Sequence, residues 1–276
     1  MARHLRVLVF GLGVTLMMGA LARVTMAEEQ NSAIQLRAAG SLKAAMTEII
    51  RQYQAETQLE VVAQFSSSGI LRERIEAGEK VDIFASANMQ HPQALVDEQR
   101  GTNVVMFARN QLCALAQPNL PLTTGNFLEV LLDPETKLGI STPKFDPAGD
   151  YALTVFEKAA ALLPQAQTIL TKKALKLTGS PDSAKAPAGR NLYAWVMENQ
   201  RADVLLTYCT NARLAQQDFP DLQIVNLPAE LAVGGNFGLV VLNGAHPQAA
   251  SLADYILSNK GQAVLAEYGF LPPLSE

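Results

Sequence analysis

The chain has 276 residues, 49% of them hydrophobic, with 22 Lys and Arg against 26 Asp and Glu and a net charge of -4. Nucleic-acid binding is driven by clustered cations, so this acidic balance excludes a nucleic-acid partner. A single core usually serves about 100 to 150 residues, so this length predicts two lobes.

Residues 1–27 read as an export signal: Arg3 and Arg6 form a basic start, residues 5–22 are almost wholly apolar, and Thr25, Met26 and Ala27 offer a cleavage site. The apolar run is also long enough for an uncleaved membrane anchor, but the export signal is the reading adopted. Its removal takes three arginines and no acid, which carries the net charge from -4 to -7. The mature protein is expected to be exported.

The mature part then alternates short apolar runs with helical patterns. "IQLRAAG" (34–40) reads as a strand, and after Ser41 the residues Leu42, Ala45, Met46, Ile49, Ile50 and Tyr53 mark one helix face. "LEVVAQF" (59–65) is a second strand, followed by Ser66, Ser67, Ser68 and Gly69 and by the helix "ILRERIEA", which Gly78 ends. "VDIFAS" (81–86), "NVVMFA" (103–108), "QLCALA" (111–116) and "KLGIST" (137–142) read as four further strands. Pro147, Ala148 and Gly149 precede the helix "DYALTVFEKAAALL", closed by Pro164. "TGSPDSAKAPAGRN" (178–191) is a loop by its Pro, Gly and Ser content. A helix "LYAWVMEN" and the strands "DVLLTYC" (203–209), "LQIVNL" (222–227) and "FGLVVL" (237–242) follow. The alternation predicts α/β lobes whose strand-to-helix turns gather at one sheet edge, where ligands bind.

Those turns carry the chemistry. Ser41 and the 66–68 hydroxyls either cap helices, worth about 1 kcal/mol each, or hold a small anion at the positive end of a helix. A serine nucleophile would need a base, and outside the signal only His91 and His246 are present, in no catalytic arrangement. Two histidines and two separated cysteines argue against zinc. Cys113 and Cys209 are the only cysteines, and in an exported chain they can form one disulfide, a pairing that spacing alone does not decide. Tyr208 closes an apolar strand, either as core or as a phenol facing a cleft. Arg190 reads as a solvated loop charge or as an anion contact, and Trp195, spaced with Leu192 and Asn199, as core. Asp82, Asp146 and Asp150 are the acids an enzyme on the same lobes would use, although Asp82 and Asp150 have ordinary structural explanations.

Five stretches in register, "AAGSLKAAMTEIIRQY", "FSSSGILRERIEAGEKVDIFASA", "DPAGDYA", "ADVLLTYCTNA" and "GLVVLNGAHPQAASLADYILSNKGQAVLAEYGFLPP", resemble the periplasmic molybdate-binding proteins of ABC importers. The resemblance implies an α/β, two-lobed type II periplasmic binding protein fold: mixed, mostly parallel sheets flanked by helices, with the ligand cleft between the lobes. It divides the mature chain into one lobe of residues 28–109 plus 232–276 and another of residues 110–231, crossing near 107–111 and 228–236. It implies a monomer without enzymatic activity that binds molybdate or tungstate through neutral donors and hands it to a membrane permease. No cofactor and no metal-ligating side chain is implied. By motif the donors would be Ser41 in "AGSL", Ser68 in "FSSSG", the N-H groups of Ala87 in "FASA" and Ala148 in "DPAG", and the Tyr208 hydroxyl in "LLTY", with Ser67 as a neighbour. Donor-only contacts would reject oxyanions that carry a proton. Two departures stand out: Gly189, Arg190 and Asn191 replace a backbone donor, so that Arg190 can approach the anion, and Gly69 replaces a small hydroxyl residue. Sulfate, phosphate or a small organic anion on the same fold is the alternative.

Overall fold

A computed structural model describes residues 33–273, and the export signal read over residues 1–27 lies outside the described residues. Strand β1 (Ile34–Ala39) leads through a 3-10 turn at Gly40–Leu42 into helix α1 (Lys43–Thr57), and β2 (Val61–Ser66) into α2 (Ser68–Glu76). Next come β3 (Ile83–Ser86), α3 (Gln90–Asp97), β4 (Gly101–Ala116), α4 (Phe127–Leu132), β5 (Leu138–Ser141), α5 (Pro147–Leu162) and α6 (Ala166–Lys173). The chain closes with β6 (Leu175–Thr178), α7 (Leu192–Glu198), β7 (Val204–Tyr208), α8 (Cys209–Asp218), β8 (Gln223–Asn226), β9 (Gly234–Leu242), α9 (Ala249–Leu257) and α10 (Asn259–Glu267).

The strands run in the order β2-β1-β3-β9-β4-β7-β5-β6, with β8 also on β4. β1 pairs in parallel with β2 and β3, and β5 with β6 and β7, while β4 and β9 bring the antiparallel pairings. Parallel strands covered by helices on both faces need apolar residues on both faces. Accordingly Val204, Leu205 and Leu206 of β7, which cover both faces, are all 0% exposed, as are Ile34, Leu36 and Ala38 on one face of β1, whose other face carries Gln35 and Arg37. Helix α1 packs on β1 and β2 and against α9 and α10, so the two ends of the described chain share one core.

The runs 103–108 and 111–116, read as two strands, are one: β4 pairs with β9 from Gly101 to Gln111 and with β7 from Leu112 to Ala116. The polar residues that suggested a break sit where the strand exchanges partners. There Asn110 is buried and satisfied, its Nδ2 donating to Thr210 Oγ1 at 2.8 Å and its Oδ1 accepting from Gln111 N at 2.9 Å. β6 escaped the sequence reading because four residues at a sheet edge, two of them exposed, carry too little pattern. Cys113 and Cys209 form a disulfide with Cα atoms 4.9 Å apart, tying β4 to the first turn of α8. No helix among the described residues is long and apolar enough to cross a membrane.

Candidate anion-binding cleft

The strand-to-helix turns surround a cavity of about 810 Å³. It brings together Ser41, Ser67, Ser68, Ala87, Arg190, Asn191 and Tyr208 from the residues expected by sequence, whereas Ala148 and Gly189 do not line it. The first N-H groups of a helix have no partner within the helix, so what caps each end decides what is left for a ligand.

Two ends are already taken. Asp146 caps α5, its Oδ1 accepting from Ala148 N at 3.0 Å. The Ala148 N-H, expected to hold the anion, is therefore committed to a carboxylate and buried. Asn191 caps α7, its Oδ1 accepting from Tyr193 N and Ala194 N at 2.9 and 3.1 Å, while its own N-H goes to Asp218 Oδ2. Arg190, expected to approach the anion, instead pairs with Glu198 at 2.8 Å and Asp218 at 3.0 Å on the cavity wall. Both acids arrive from later in the chain, so no local motif announced them.

Three ends have no side-chain cap: the turn at Gly40–Leu42 leading into α1, the start of α2, where the Gly69 N-H is nevertheless taken by Phe145 O, and the start of α8 after Tyr208. Ser41 does not cap. Its Oγ is buried and has no hydrogen-bond partner among the described residues. A buried hydroxyl left unpaired costs roughly 1 to 3 kcal/mol, and a ligand in the cavity would remove that cost. Ser68, also not a cap, is 0% exposed, and its Oγ accepts from Ala87 N at 3.0 Å. The expected Ala87 donor is thereby spent on the protein, but the Ser68 proton stays free to donate, since a hydroxyl can do both. Tyr208 Oη donates to Ala87 O at 3.0 Å, so this phenol must turn away from that carbonyl to serve a ligand. Burial raises the Tyr208 pKa, which keeps the phenol neutral.

Asp146 also lines the cavity, which brings an acceptor into a site expected to hold donors only. Burial pushes its carboxyl up to about 6, against the opposing hydrogen bonds from Ala148 N-H and Ser141. Gly179, in left-handed backbone with φ +90°, makes room for it, because a Cβ there would come within 2.6 Å of Asp146 Cβ and 2.8 Å of Oδ2. Lys43 and Lys185 line the cavity as well, and neither forms an ion pair among the described residues. The sequence reading passed over both, since an isolated lysine carries no spacing signal.

Gly69 closes the arrangement. Its N-H donates to Phe145 O at 2.8 Å, joining the start of α2 to the turn before α5. A Cβ on Gly69 would strike Lys144 O and come within 2.9 Å of Phe145 O. The departure noted in the sequence therefore has a steric cause: the turn at Lys144 and Phe145 occupies the space that a side chain at 69 would need.

The model of the bacterial extracellular solute-binding protein family matches residues 34–271. An uncharacterized protein of Pasteurella multocida is 36% identical over 245 residues, covering 87% of this chain and 98% of the relative. The molybdate-binding protein ModA of Haemophilus influenzae is 25% identical over 250 residues, covering 84% of this chain and 87% of that protein. Among solved structures, the sulfate-binding protein SubI of Mycobacterium tuberculosis superposes with a TM-score of 0.70 at 16% identity, covering 87% of each chain. At that identity the likeness is one of fold.

Proposed function

Because the chain belongs to the bacterial extracellular solute-binding proteins, we propose that it is the capturing subunit of an ABC importer, holding a small tetrahedral oxyanion in its cleft. Molybdate or tungstate is the first reading, favoured by the molybdate-binding relative. The observation that carries the proposal is Ser41: a buried, unpartnered hydroxyl at an uncapped helix start, in the same cavity as the Ser68 hydroxyl. Uncapped helix starts stabilise an anion through free N-H groups and the helix dipole without a buried lysine. The lobes are proposed to divide as residues 28–109 with 232–276 and residues 110–231, rotating about β4 and the segment entering β9. The mature protein would act in the periplasm as a monomer that meets a membrane permease, the ligand favouring the closed state by bridging the lobes.

Isothermal titration with molybdate, tungstate, sulfate and phosphate tests this. Molybdate or tungstate should bind one to one. Ser41→Ala should weaken that binding roughly 10- to 150-fold, the worth of a hydrogen bond to a charged group, with no loss of thermal stability in the empty protein. If the variant binds as tightly as wild type, the site is elsewhere.

A second reading rests on the size of the cavity. About 810 Å³ is many times the roughly 30 Å³ share of one water, enough for an organic group attached to the anion beside Lys43 and Lys185. Competition by glycerol phosphate against molybdate separates the two readings.

A further inference from the structure

Asp146 is a carboxylate in a cleft otherwise suited to anions. Its Oδ1 is fixed by the Ala148 N-H, the Ser141 hydroxyl, itself paired with Thr178 at 2.9 Å, is the lesser of its two hydrogen-bonding neighbours, and its Oδ2 stands beside Gly179, which also lines the cavity. A bare dianion and an ionised carboxylate in one low-dielectric cavity repel each other. The conflict disappears if a proton joins them.

We propose that Asp146 couples anion capture to proton uptake: in the occupied cleft one proton lies between Asp146 Oδ2 and an oxygen of the bound oxyanion. This rests on the reading of the cleft as an oxyanion site. For a fully ionised ligand such as molybdate the proton comes from the acid form of the buffer in the surrounding solution, so carboxylate, proton and dianion combine into a neutral carboxyl that donates to the anion. A ligand that carries its own O-H brings the proton with it. Asp146 thereby becomes a specificity-determining residue, and the expected rejection of protonated oxyanions is replaced by acceptance of them.

The surroundings favour that proton. The titratable groups around Asp146 are Asp150 on its own helix, Tyr193 on α7 and Tyr208 on β7, none of them cationic. Asp150 pushes the carboxyl upward together with burial. Of the cations lining the cavity, Arg190 is already paired, and Lys43 and Lys185 lie on α1 and on the 178–191 loop. With the carboxyl at about 6 in the empty cleft, Asp146 is mostly ionised at neutral pH, and an incoming dianion raises its pKa further. Binding above that pH therefore takes up a proton, and affinity falls as pH rises, with a limiting slope of tenfold per unit.

The test is calorimetric titration of micromolar molybdate into wild type and Asp146→Asn between about pH 6.5 and pH 8.5, in buffers of different ionisation enthalpy. Asn is as good an N-cap as Asp, so α5 keeps its start. Wild type should lose at least about tenfold in affinity across this range and take up close to one proton per anion. Asp146→Asn should take up none, show a flat profile, and bind more tightly than wild type at the upper end. A flat wild-type profile with no proton uptake overturns the coupling and leaves the oxyanion site standing. Absence of binding by both proteins at every pH overturns the oxyanion site and the coupling together.

Discussion

Gly69→Ala will keep the cleft from closing and weaken anion binding by roughly 5- to 150-fold, the equivalent of the 1 to 3 kcal/mol that overpacking typically costs. The added methyl group meets backbone, Lys144 O and Phe145 O, and not a side chain that could turn aside. The facing turn cannot give easily either, because Lys144 sits at φ +71° and its N-H is held by Asp150 Oδ1 at 2.9 Å. In an open protein the same methyl meets solvent on the first turn of α2, so the melting temperature of the unliganded variant should stay near that of wild type. Small-angle scattering with and without molybdate, alongside titration, reads both effects. Wild-type affinity together with ligand-induced compaction in the variant would show that the contact between residues 69 and 145 is no part of the closed state.

Removing the disulfide should have the largest effect on stability. Cys113 and Cys209 are 96 residues apart in sequence, and closing a loop of that size in the unfolded chain is worth up to about 4.7 kcal/mol by chain entropy, with measured losses of about 2 to 5. The double variant Cys113→Ala, Cys209→Ala should therefore unfold at a clearly lower denaturant concentration, and reductant should lower the wild-type midpoint while leaving the variant unchanged. Because Cys209 directly follows Tyr208 and begins the uncapped helix α8, the variant should also bind molybdate more weakly at temperatures where it remains folded. Equal midpoints for the two proteins under oxidising conditions would mean that the bond adds nothing to the fold.

The α/β organisation was legible because its signals are local. The strands β1, β3 and β7 are mostly apolar, with single polar positions such as Arg37, Ser86 and Thr207, and the serines at 41 and 66–68 stand where strands turn into helices. The same locality explains the misreadings. The break read between the runs 103–108 and 111–116 has this cause: the polar Asn110 between them is satisfied by Thr210, 100 positions away. Ser41 and Ser68 could be read either as caps or as anion donors, and neither caps: one hydroxyl has no partner among the described residues and the other is met by the Ala87 N-H.

Residue order alone thus established the lobed α/β class, the turns that face the cleft and the serines that stand there, since hydrophobic period and turn chemistry depend on neighbours a few positions apart. Which donors are free for a ligand was a matter of folding. Asp146 takes the Ala148 N-H, Asp218 and Glu198 take Arg190, and Phe145 fills the space in front of Gly69. Hydrogen-bond commitment and excluded volume depend on which segments meet in space, and the cleft's selectivity depends on both.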